Sequence, residues 1–311
     1  MRVGIVARNG QYNLGERNQA HTLKKTLETV GYSANVEFIG IPSQNYRGST
    51  GETWDADDFK GTISSKTGLD HYDYLIFTKP WMQVAYEMAG VCRLSCCYLC
   101  TIPGFISGFR TKLSRDIFDY VHDIVVQSSD SKLHLKDEVI PPAVDIEELD
   151  KLVEDLPKDV AKQFDYLWVG YTDKVKGGEE FMRLATALPD RVFCMVTSGS
   201  TRIEKVPFGV ITFHNIPRKQ LLEVMKMSHR LIVTSKFEAF GQIALEAMAM
   251  DLSIAAPEGT RALNDLPFVR RYKTAKELDR MVLFSTREFT KHFTLEAIGQ
   301  QWRKFIKERK L

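Results

Sequence analysis

Hydrophobic and polar positions form alternating blocks along the chain, and the blocks recur in one order. Short continuous apolar runs, such as residues 3–7 and 74–78, are typical of strands buried on both faces of a parallel sheet. Between them lie longer segments with apolar residues at helical spacing, such as residues 19–30 with Leu23 and Leu27 on one face. The repeated order strand–helix–strand predicts a doubly wound parallel sheet.

The pattern predicts two such series and a closing helix. In the first series, strands are predicted over residues 3–7, 34–41, 74–78, 95–101 and 124–127, with helices over 19–30, 82–91 and around 117–121. In the second, strands are predicted over 166–169, 192–196, 210–213, 230–234 and 253–256, with helices over 178–188, 219–227 and 238–250. The last segment, 295–310, predicts an amphipathic helix with one apolar stripe: Ile298, Trp302, Phe305 and Ile306.

A break between the two series predicts two domains. Residues 140–145, Ile-Pro-Pro-Ala-Val-Asp, contain two prolines that halt regular structure. We therefore predict an N-terminal Rossmann-like domain over residues 1–145, a linker over 146–163, and a C-terminal Rossmann-like domain over 164–287. Residues 43–70 are mostly polar and too long for an ordinary connection, so we expect either a functional loop or a mobile loop there.

Composition and charge narrow the classes of function. The chain has 311 residues, 44% hydrophobic and 26% charged, and a formal net charge of +2. This near balance does not favour a duplex nucleic-acid binder, which usually has a strongly basic face. The first apolar run is too short for a signal peptide, and no stretch approaches the roughly 18–20 apolar residues of a membrane span. We expect a cytoplasmic protein, with peripheral membrane contact left open.

Four of the five cysteines lie close together, at Cys92, Cys96, Cys97 and Cys100. A zinc site and a buried strand are the two interpretations. On a strand, neighbours Cys96 and Cys97 point to opposite faces, which is poor geometry for one metal ion. The scattered histidines do not complete a ligand set. We therefore expect a buried strand and no metal.

The segment 235–257 is the richest in candidate chemistry. It follows a predicted strand, contains Gly241 in a short loop, and continues into a helix. Glu238 and Glu246 are eight positions apart, a spacing that returns to nearly the same helix face. The carboxyl ends of parallel strands are where open sheets bind ligands, and a helix N-terminus there offers free N–H groups to phosphate.

This segment resembles the retaining GT-B glycosyltransferases of the group-1 family, glycosyltransferase family 4. Their signature is Glu-x7-Glu within a stretch such as S-x-x-E-x-F-G-x-x-x-x-E-A-M-A, which residues 235–249 follow closely. The resemblance implies that Glu238 lies near the donor sugar and that Glu246 binds the ribose hydroxyls. It also implies donor contacts from Phe240, Gly241 and Gln242.

A second match lies at residues 169–177, which resemble the family's V-G-R-x-x-x-x-K-G segment. The resemblance implies that Lys176 holds the donor diphosphate, where a fixed cation offsets the negative charge of the leaving group. Tyr171 takes the position of the family's arginine. In this interpretation we expect Lys174, in the same loop as Lys176, to reach the donor as well.

The resemblance to the first half of the family is topological. The loop 9–18 corresponds to the family's glycine-bearing loop, where Gly10 or Gly15 would let backbone N–H groups approach the donor. The family's histidine after the fourth strand is missing here. The closing helix, about 288–311, looks like the family helix that packs back on the first domain.

Together these features imply a GT-B architecture, α/β with two Rossmann-like doubly wound parallel-sheet domains facing a cleft. The implied activity moves a hexose-type sugar from a nucleoside-diphosphate sugar to an acceptor hydroxyl with retention. No cofactor and no metal are expected, and the acceptor (saccharide, lipid, protein or modified base) is open. A non-catalytic nucleotide-sugar-binding protein, a sugar-nucleotide epimerase-type GT-B enzyme and a DNA-modifying glycosyltransferase are the alternatives.

Overall fold

The computed structural model describes residues 1–9, 14–40, 69–78, 95–99, 123–129, 137–157, 159–171, 175–199, 205–236, 238, 240–260, 263 and 266–309. These residues form two compact units. The first unit combines Met1–Ala143 with Leu295–Leu311, and the second is Val144–Thr294. The finer domain boundaries and the linker that the sequence suggests stay a prediction.

The strands, in chain order, are β1 Arg2–Asn9, β2 Ser33–Gly40, β3 Tyr74–Phe77, β4 Ser95–Leu99, β5 Ile124–Val126, β6 Glu138–Val139, β7 Phe164–Tyr171, β8 Phe193–Ser198, β9 Val210–His214, β10 Ser228–Ile232, β11 Ser253–Pro257 and β12 Val269–Tyr272. The α-helices of the described residues are α1 Leu14–Thr29, α2 Ile146–Leu152, α3 Gly178–Ala187, α4 Arg218–Lys226, α5 Gln242–Ala249, α6 Ala275–Arg280 and α7 Leu295–Glu308. Two short 3-10 helices are Leu69–His71 and Arg287–His292.

Each unit is built on one six-stranded parallel sheet. The first has the strand order β2-β1-β3-β4-β5-β6 and the second the order β12-β11-β10-β7-β8-β9. In both, the chain starts at an interior strand of the sheet, extends to one edge and then crosses to build the other side. This is the doubly wound α/β architecture that the alternating pattern predicts.

The closing helix α7 packs on α1 within the first unit. Gly299 permits the close approach, because a Cβ there would lie 2.7 Å from the carbonyl oxygen of Thr26. The ring of Trp302 is fully buried and meets the ring of Tyr98 edge-on at 5.1 Å. The predicted apolar stripe is confirmed, since all four residues are buried: Ile298, Trp302, Phe305 and Ile306.

In the second unit an aromatic cluster fills the space between the sheet and α3. Trp168 and Tyr166 from β7 pack with Phe193 from β8 and with Phe181 from α3. The rings of Phe181 and Phe193 meet edge-on at 5.3 Å. This packing fixes α3 against the strands whose carboxyl ends position the candidate site.

Several boundaries differ from the sequence prediction. Helix α1 begins at Leu14 and not near residue 19, so the polar loop predicted over residues 9–18 is shorter. The sequence pattern does not predict the strands β6 and β12 or the helix α6, because they are short or carry few apolar residues. The predicted helices 82–91 and 117–121 and almost all of the loop 43–70 lie outside the described residues.

The buried strand predicted for the cysteine cluster is confirmed at the two cysteines that the structure describes there. Cys96 and Cys97 lie on β4 and are fully buried, while Cys92 and Cys100 lie outside the described residues. Burial raises the pKa of the Cys96 thiol to about 12, so this sulfur is protonated at neutral pH. Among the residues described, no group of three or more metal-ligating side chains comes together.

Candidate functional site

The two sequence motifs meet at one edge of the second sheet, the edge where its strands end, hereafter the carboxyl edge. Strands β7 and β10 are neighbours in the sheet, so the loops that follow them are adjacent. The backbone N–H of Lys236 donates to the carbonyl oxygen of Val175 at 2.8 Å and ties the two loops together. The fold thus brings Val175 and Lys236, 61 positions apart in sequence, to one site.

A buried tryptophan and a threonine fix the loop after β7. Trp168 Nε1 donates to the hydroxyl of Thr234 at 2.9 Å. The same hydroxyl donates to the carbonyl oxygen of Gly177 at 2.8 Å. Gly177 has φ 72°, and a Cβ there would lie 2.2 Å from the carbonyl oxygen of Thr234. Only glycine fits, so this position sets the path of the backbone beside Lys176.

The two predicted catalytic residues touch each other. Lys176 Nζ lies 2.7 Å from Glu238 Oε2, and their side chains are 28% and 17% exposed. The pair is partly shielded from water, which makes its electrostatic attraction stronger than that of a surface pair. The carboxyl edge therefore presents a cation and a carboxylate side by side.

The loop after β10 leads into helix α5 through Gly241. Gly241 has φ 84°, and a Cβ there would lie 2.6 Å from Leu263 Cδ2 and 3.3 Å from Glu238 Cγ. Helix α5 begins at the next residue, so Glu238 lies four residues before the helix. The eight-residue spacing would put Glu238 and Glu246 on one face only if the loop continued straight into the helix, and the turn at Gly241 breaks that continuity. The turn points the first-turn N–H groups of α5 toward the carboxyl edge.

Phe240 has a packing role. It is 3% exposed, and its ring lies 5.6 Å from the ring of Phe293. The side chain anchors the loop to the body of the second unit and is turned away from solvent. The contact with a donor that the sequence predicts for this residue would have to come from its backbone.

Glu246 lies in the second turn of α5 and is paired with an arginine that the sequence analysis missed. Arg218, the first residue of α4, places an Nη1 nitrogen 3.0 Å from Glu246 Oε1. The side chain of Glu246 is 8% exposed and that of Arg218 is 37% exposed. Burial raises the pKa of Glu246, and the contact with Arg218 opposes the rise.

Two polar atoms near this pair have no hydrogen-bond partner within the described part of the chain. They are Gln242 Oε1 and Arg218 Nε, and both are buried. Gln242 precedes Glu246 by four residues and so lies on the same face of α5. Buried polar groups without a partner are uncommon in folded proteins, and a bound ligand is one way to satisfy them.

Polar contacts also join the ends of β8 and β9 at the carboxyl edge. Asn215, with φ 52°, accepts from the N–H of Gly199 at 3.0 Å and donates to the carbonyl oxygen of Gly199 at 3.1 Å. Its amide nitrogen also lies 3.0 Å from His214 Nε2, while Thr197 Oγ1 lies 2.8 Å from Nδ1. These contacts fix the loop that leads to Arg218.

The remaining predicted residues are less informative. Gly15 lies in the first turn of α1 in the first unit, and so in a helix and not in the predicted loop. Lys174 and Gly10 lie outside the described residues. Tyr171 ends β7, and its ring lies against Gly199, where a Cβ would be 3.3 Å from Tyr171 Cδ1.

Across the described ranges of the chain, every helix is too short or too polar to span a membrane.

No protein-family model and no curated protein matches this sequence. Solved structures do match, along nearly the whole chain. The trehalose-6-phosphate protein of E. coli bound with UDP-2-fluoro glucose has a TM-score of 0.73 at 10% identity, covering 99% of both chains. The sucrose-phosphate synthase of Thermosynechococcus elongatus has a TM-score of 0.67 at 12% identity, covering 99% of this chain and 98% of that one.

The HepE protein of Anabaena, in complex with UDP, has a TM-score of 0.65 at 13% identity, covering 99% of this chain and 100% of that one. At such identities the likeness concerns the fold. The two parallel sheets, their strand orders and these neighbours lead to one conclusion: this chain has the GT-B fold, two Rossmann-like α/β units, that glycosyltransferases share.

Proposed function

We propose that this protein transfers a sugar from a nucleoside-diphosphate sugar to an acceptor hydroxyl, with retention of the anomeric configuration. The observation that carries the proposal is the contact between Lys176 and Glu238 at the carboxyl edge of the second sheet, 2.7 Å between Nζ and Oε2. The first turns of α3 and α5 begin at the same edge, at Gly178 and Gln242. This is a setting suited to an anionic diphosphate beside a sugar.

Each residue has a distinct role in this proposal. Lys176 offsets the negative charge that grows on the diphosphate as the bond to the sugar breaks. Glu238 lies beside the sugar, next to that lysine. The N–H groups at the start of α5 bind phosphate oxygens, and Glu246 accepts hydrogen bonds from the ribose. Before the donor binds, Glu238 pairs with Lys176 and keeps the ammonium group in position.

Nucleotide binding tests the donor site first. UDP is the first probe, since one structural neighbour is a complex with UDP, and GDP and ADP complete the panel. A nucleotide at a hundred times its Kd raises the free energy of unfolding by about 2.7 kcal/mol, which a thermal-shift assay detects. We expect a shift with one nucleotide that is lost in Glu246→Ala. No shift with any nucleotide would contradict the proposed function.

Turnover is tested with the sugar form of the nucleotide that binds. We expect Lys176→Met to lower the rate of donor cleavage by about 10²–10³-fold, because the leaving group loses its fixed cation. The matched control is Arg191→Met, which removes an ion pair with Asp279, 2.6 Å long, at the opposite edge of the sheet. Equal rates in the Lys176 and Arg191 variants would rule out the proposed role of Lys176.

A non-catalytic nucleotide-sugar-binding protein is the second candidate. The specific observation in its favour is Tyr171, which ends β7 where the resembling family has an arginine and packs against Gly199. Such a protein would show the thermal shift without turnover. Chromatography of the donor after long incubation separates the two functions, since only an enzyme releases nucleoside diphosphate faster than a protein-free control does.

A further inference from the structure

Arg218 is the least expected charged residue at the carboxyl edge. It begins helix α4 directly after Pro217, at the end of a helix where a positive charge is unfavourable. The guanidinium instead reaches Glu246 on α5, with 3.0 Å between Nη1 and Oε1. A residue held against the helix dipole and paired with a buried carboxylate points to a role beyond helix formation.

Glu246 depends on this one cation. Charged groups approach α5 from three packed elements: Arg218 from α4, Glu148 from α2, and Arg287 from the 3-10 helix. Glu148 is negative and opposes ionisation, and Arg287 binds the carbonyl oxygen of Ala249 at the far end of the helix. The fourth neighbour, β11, contributes no charged residue. Among the described groups, Arg218 alone offsets the cost of burying the carboxylate.

The polar atoms around the Arg218–Glu246 pair suit a ligand with hydroxyl groups. Gln242 Oε1 is a buried acceptor without a partner in the described chain, one turn before Glu246 on the same face of α5. Arg218 Nε is a buried donor that likewise has no hydrogen-bond partner in the described chain. A vicinal diol supplies two O–H donors and several acceptor lone pairs, so it can satisfy these groups together.

Resting on the proposed function, we propose that Arg218 is a positioning residue for the donor nucleotide. It keeps the Glu246 carboxylate charged and oriented, so that this group accepts hydrogen bonds from the two hydroxyls of the ribose. An ionised carboxylate only accepts, whereas a protonated one must also donate and binds a diol less well. Arg218 therefore decides over which pH range the ribose is recognised.

The pH dependence follows from this role. Burial raises the pKa of Glu246 and Arg218 opposes the rise, so nucleotide affinity falls when the pH drops low enough to protonate the carboxyl. Removal of the opposite charge at contact distance raises the pKa of the carboxyl further. In Arg218→Met the loss of affinity thus begins at a higher pH than in the wild type, while Arg218→Lys keeps the charge and stays close to the wild type.

The test is calorimetric titration with UDP, GDP and ADP and their 2′-deoxy forms between pH 5 and 8.5, on the wild type and both variants. We expect the wild type to prefer the ribonucleotide, and Arg218→Met to lose this preference at a higher pH than the wild type does. Affinity in Arg218→Met that is lowered by the same factor at every pH, or unchanged, would overturn the proposal and leave the proposed function standing.

A second measurement needs no nucleotide. Carboxyl ¹³C NMR of ligand-free protein follows the titration of Glu246, with Glu246→Gln used to assign the signal. We expect the midpoint in Arg218→Met to lie above that of the wild type. Equal midpoints overturn the proposal even if nucleotides bind. Failure of every nucleotide to bind the wild type overturns the proposed function and, with it, the role in ribose recognition.

Discussion

At the residue scale, the candidate site depends on glycines that no other residue can replace. Gly177 and Gly241 both have positive φ, 72° and 84°, and both have neighbours where a Cβ would lie. Each directly adjoins a segment of the candidate site: Gly177 follows Lys176, and Gly241 precedes α5. The backbone geometry of these two residues, and not only the charges nearby, determines where the site groups lie.

We expect Gly177→Ala to destabilise the second unit and to abolish nucleotide binding. The added Cβ would meet the carbonyl oxygen of Thr234 at 2.2 Å, so the loop after β7 must move. The matched control is Gly209→Ala, whose φ of 85° is similar but whose Cβ meets only Arg191 O at 3.7 Å. The control should cost about 1–2 kcal/mol of unfolding free energy from backbone strain alone, measured by chemical denaturation. Equal losses in both variants would contradict the packing argument.

At the element scale, strand β7 is tied to helix α6 by a polar group at the amino edge of the sheet. The hydroxyl of Tyr166 donates to Asp279 Oδ1 at 3.2 Å, and Arg191 Nε donates to the same oxygen at 2.6 Å. Burial, together with Asp279, raises the pKa of Tyr166 to about 12. The folded state therefore favours the neutral phenol.

This shift predicts how alkaline pH changes stability. A group whose pKa is higher in the folded state than in the unfolded state stabilises the protein at pH values below the unfolded pKa, which is about 10 for tyrosine. That contribution is lost as the pH rises through the pKa of the folded state. The stability of the wild type relative to Tyr166→Phe should therefore be constant below pH 10 and fall between pH 10 and about 12. Urea denaturation of both proteins across this range measures the difference, and a constant difference would disprove the assignment.

At the scale of the whole molecule, the chain forms two units, and the last helix belongs to the first of them. Within that unit, Trp302 of α7 is fully buried against Tyr98 of β4 and Phe305 of α7. The chain thus leaves the first unit at Ala143, forms the second, and returns to complete the packing against α1.

We expect Trp302→Ala to lower the unfolding free energy of the first unit by about 3–5 kcal/mol, the usual cost of emptying a buried aromatic site. The groups to which the proposed function assigns the nucleotide, Lys176, Glu238, Glu246 and the start of α5, lie in the second unit. The added nucleotide should therefore still raise the melting temperature of that unit by the same amount. Scanning calorimetry with and without nucleotide measures both effects. Trp302→Phe is the milder control, and loss of nucleotide binding in either variant would count against this division of roles.

The sequence by itself determined the α/β class, the two parallel-sheet series and most strands of the second unit. Buried parallel strands require continuous apolar runs, and buried helix faces require helical spacing, so these features are visible locally. The sequence also singled out Lys176, Glu238 and Glu246. It could not show that Lys176 and Glu238 touch, because that contact spans 62 positions and depends on β7 and β10 being neighbours.

Only the tertiary structure decided which groups surround each carboxylate. Arg218 belongs to no sequence motif. A positive charge at the start of a helix is unfavourable, and this is the one local signal that singles Arg218 out as a candidate. Three other contacts of the site also join distant segments: the close approach at Gly241, the packing of Phe240 on Phe293, and the hydrogen bond from Trp168 to Thr234. Local sequence specifies strands and helices through periodicity, whereas burial and pairing of charges depend on which elements the sheet order brings together.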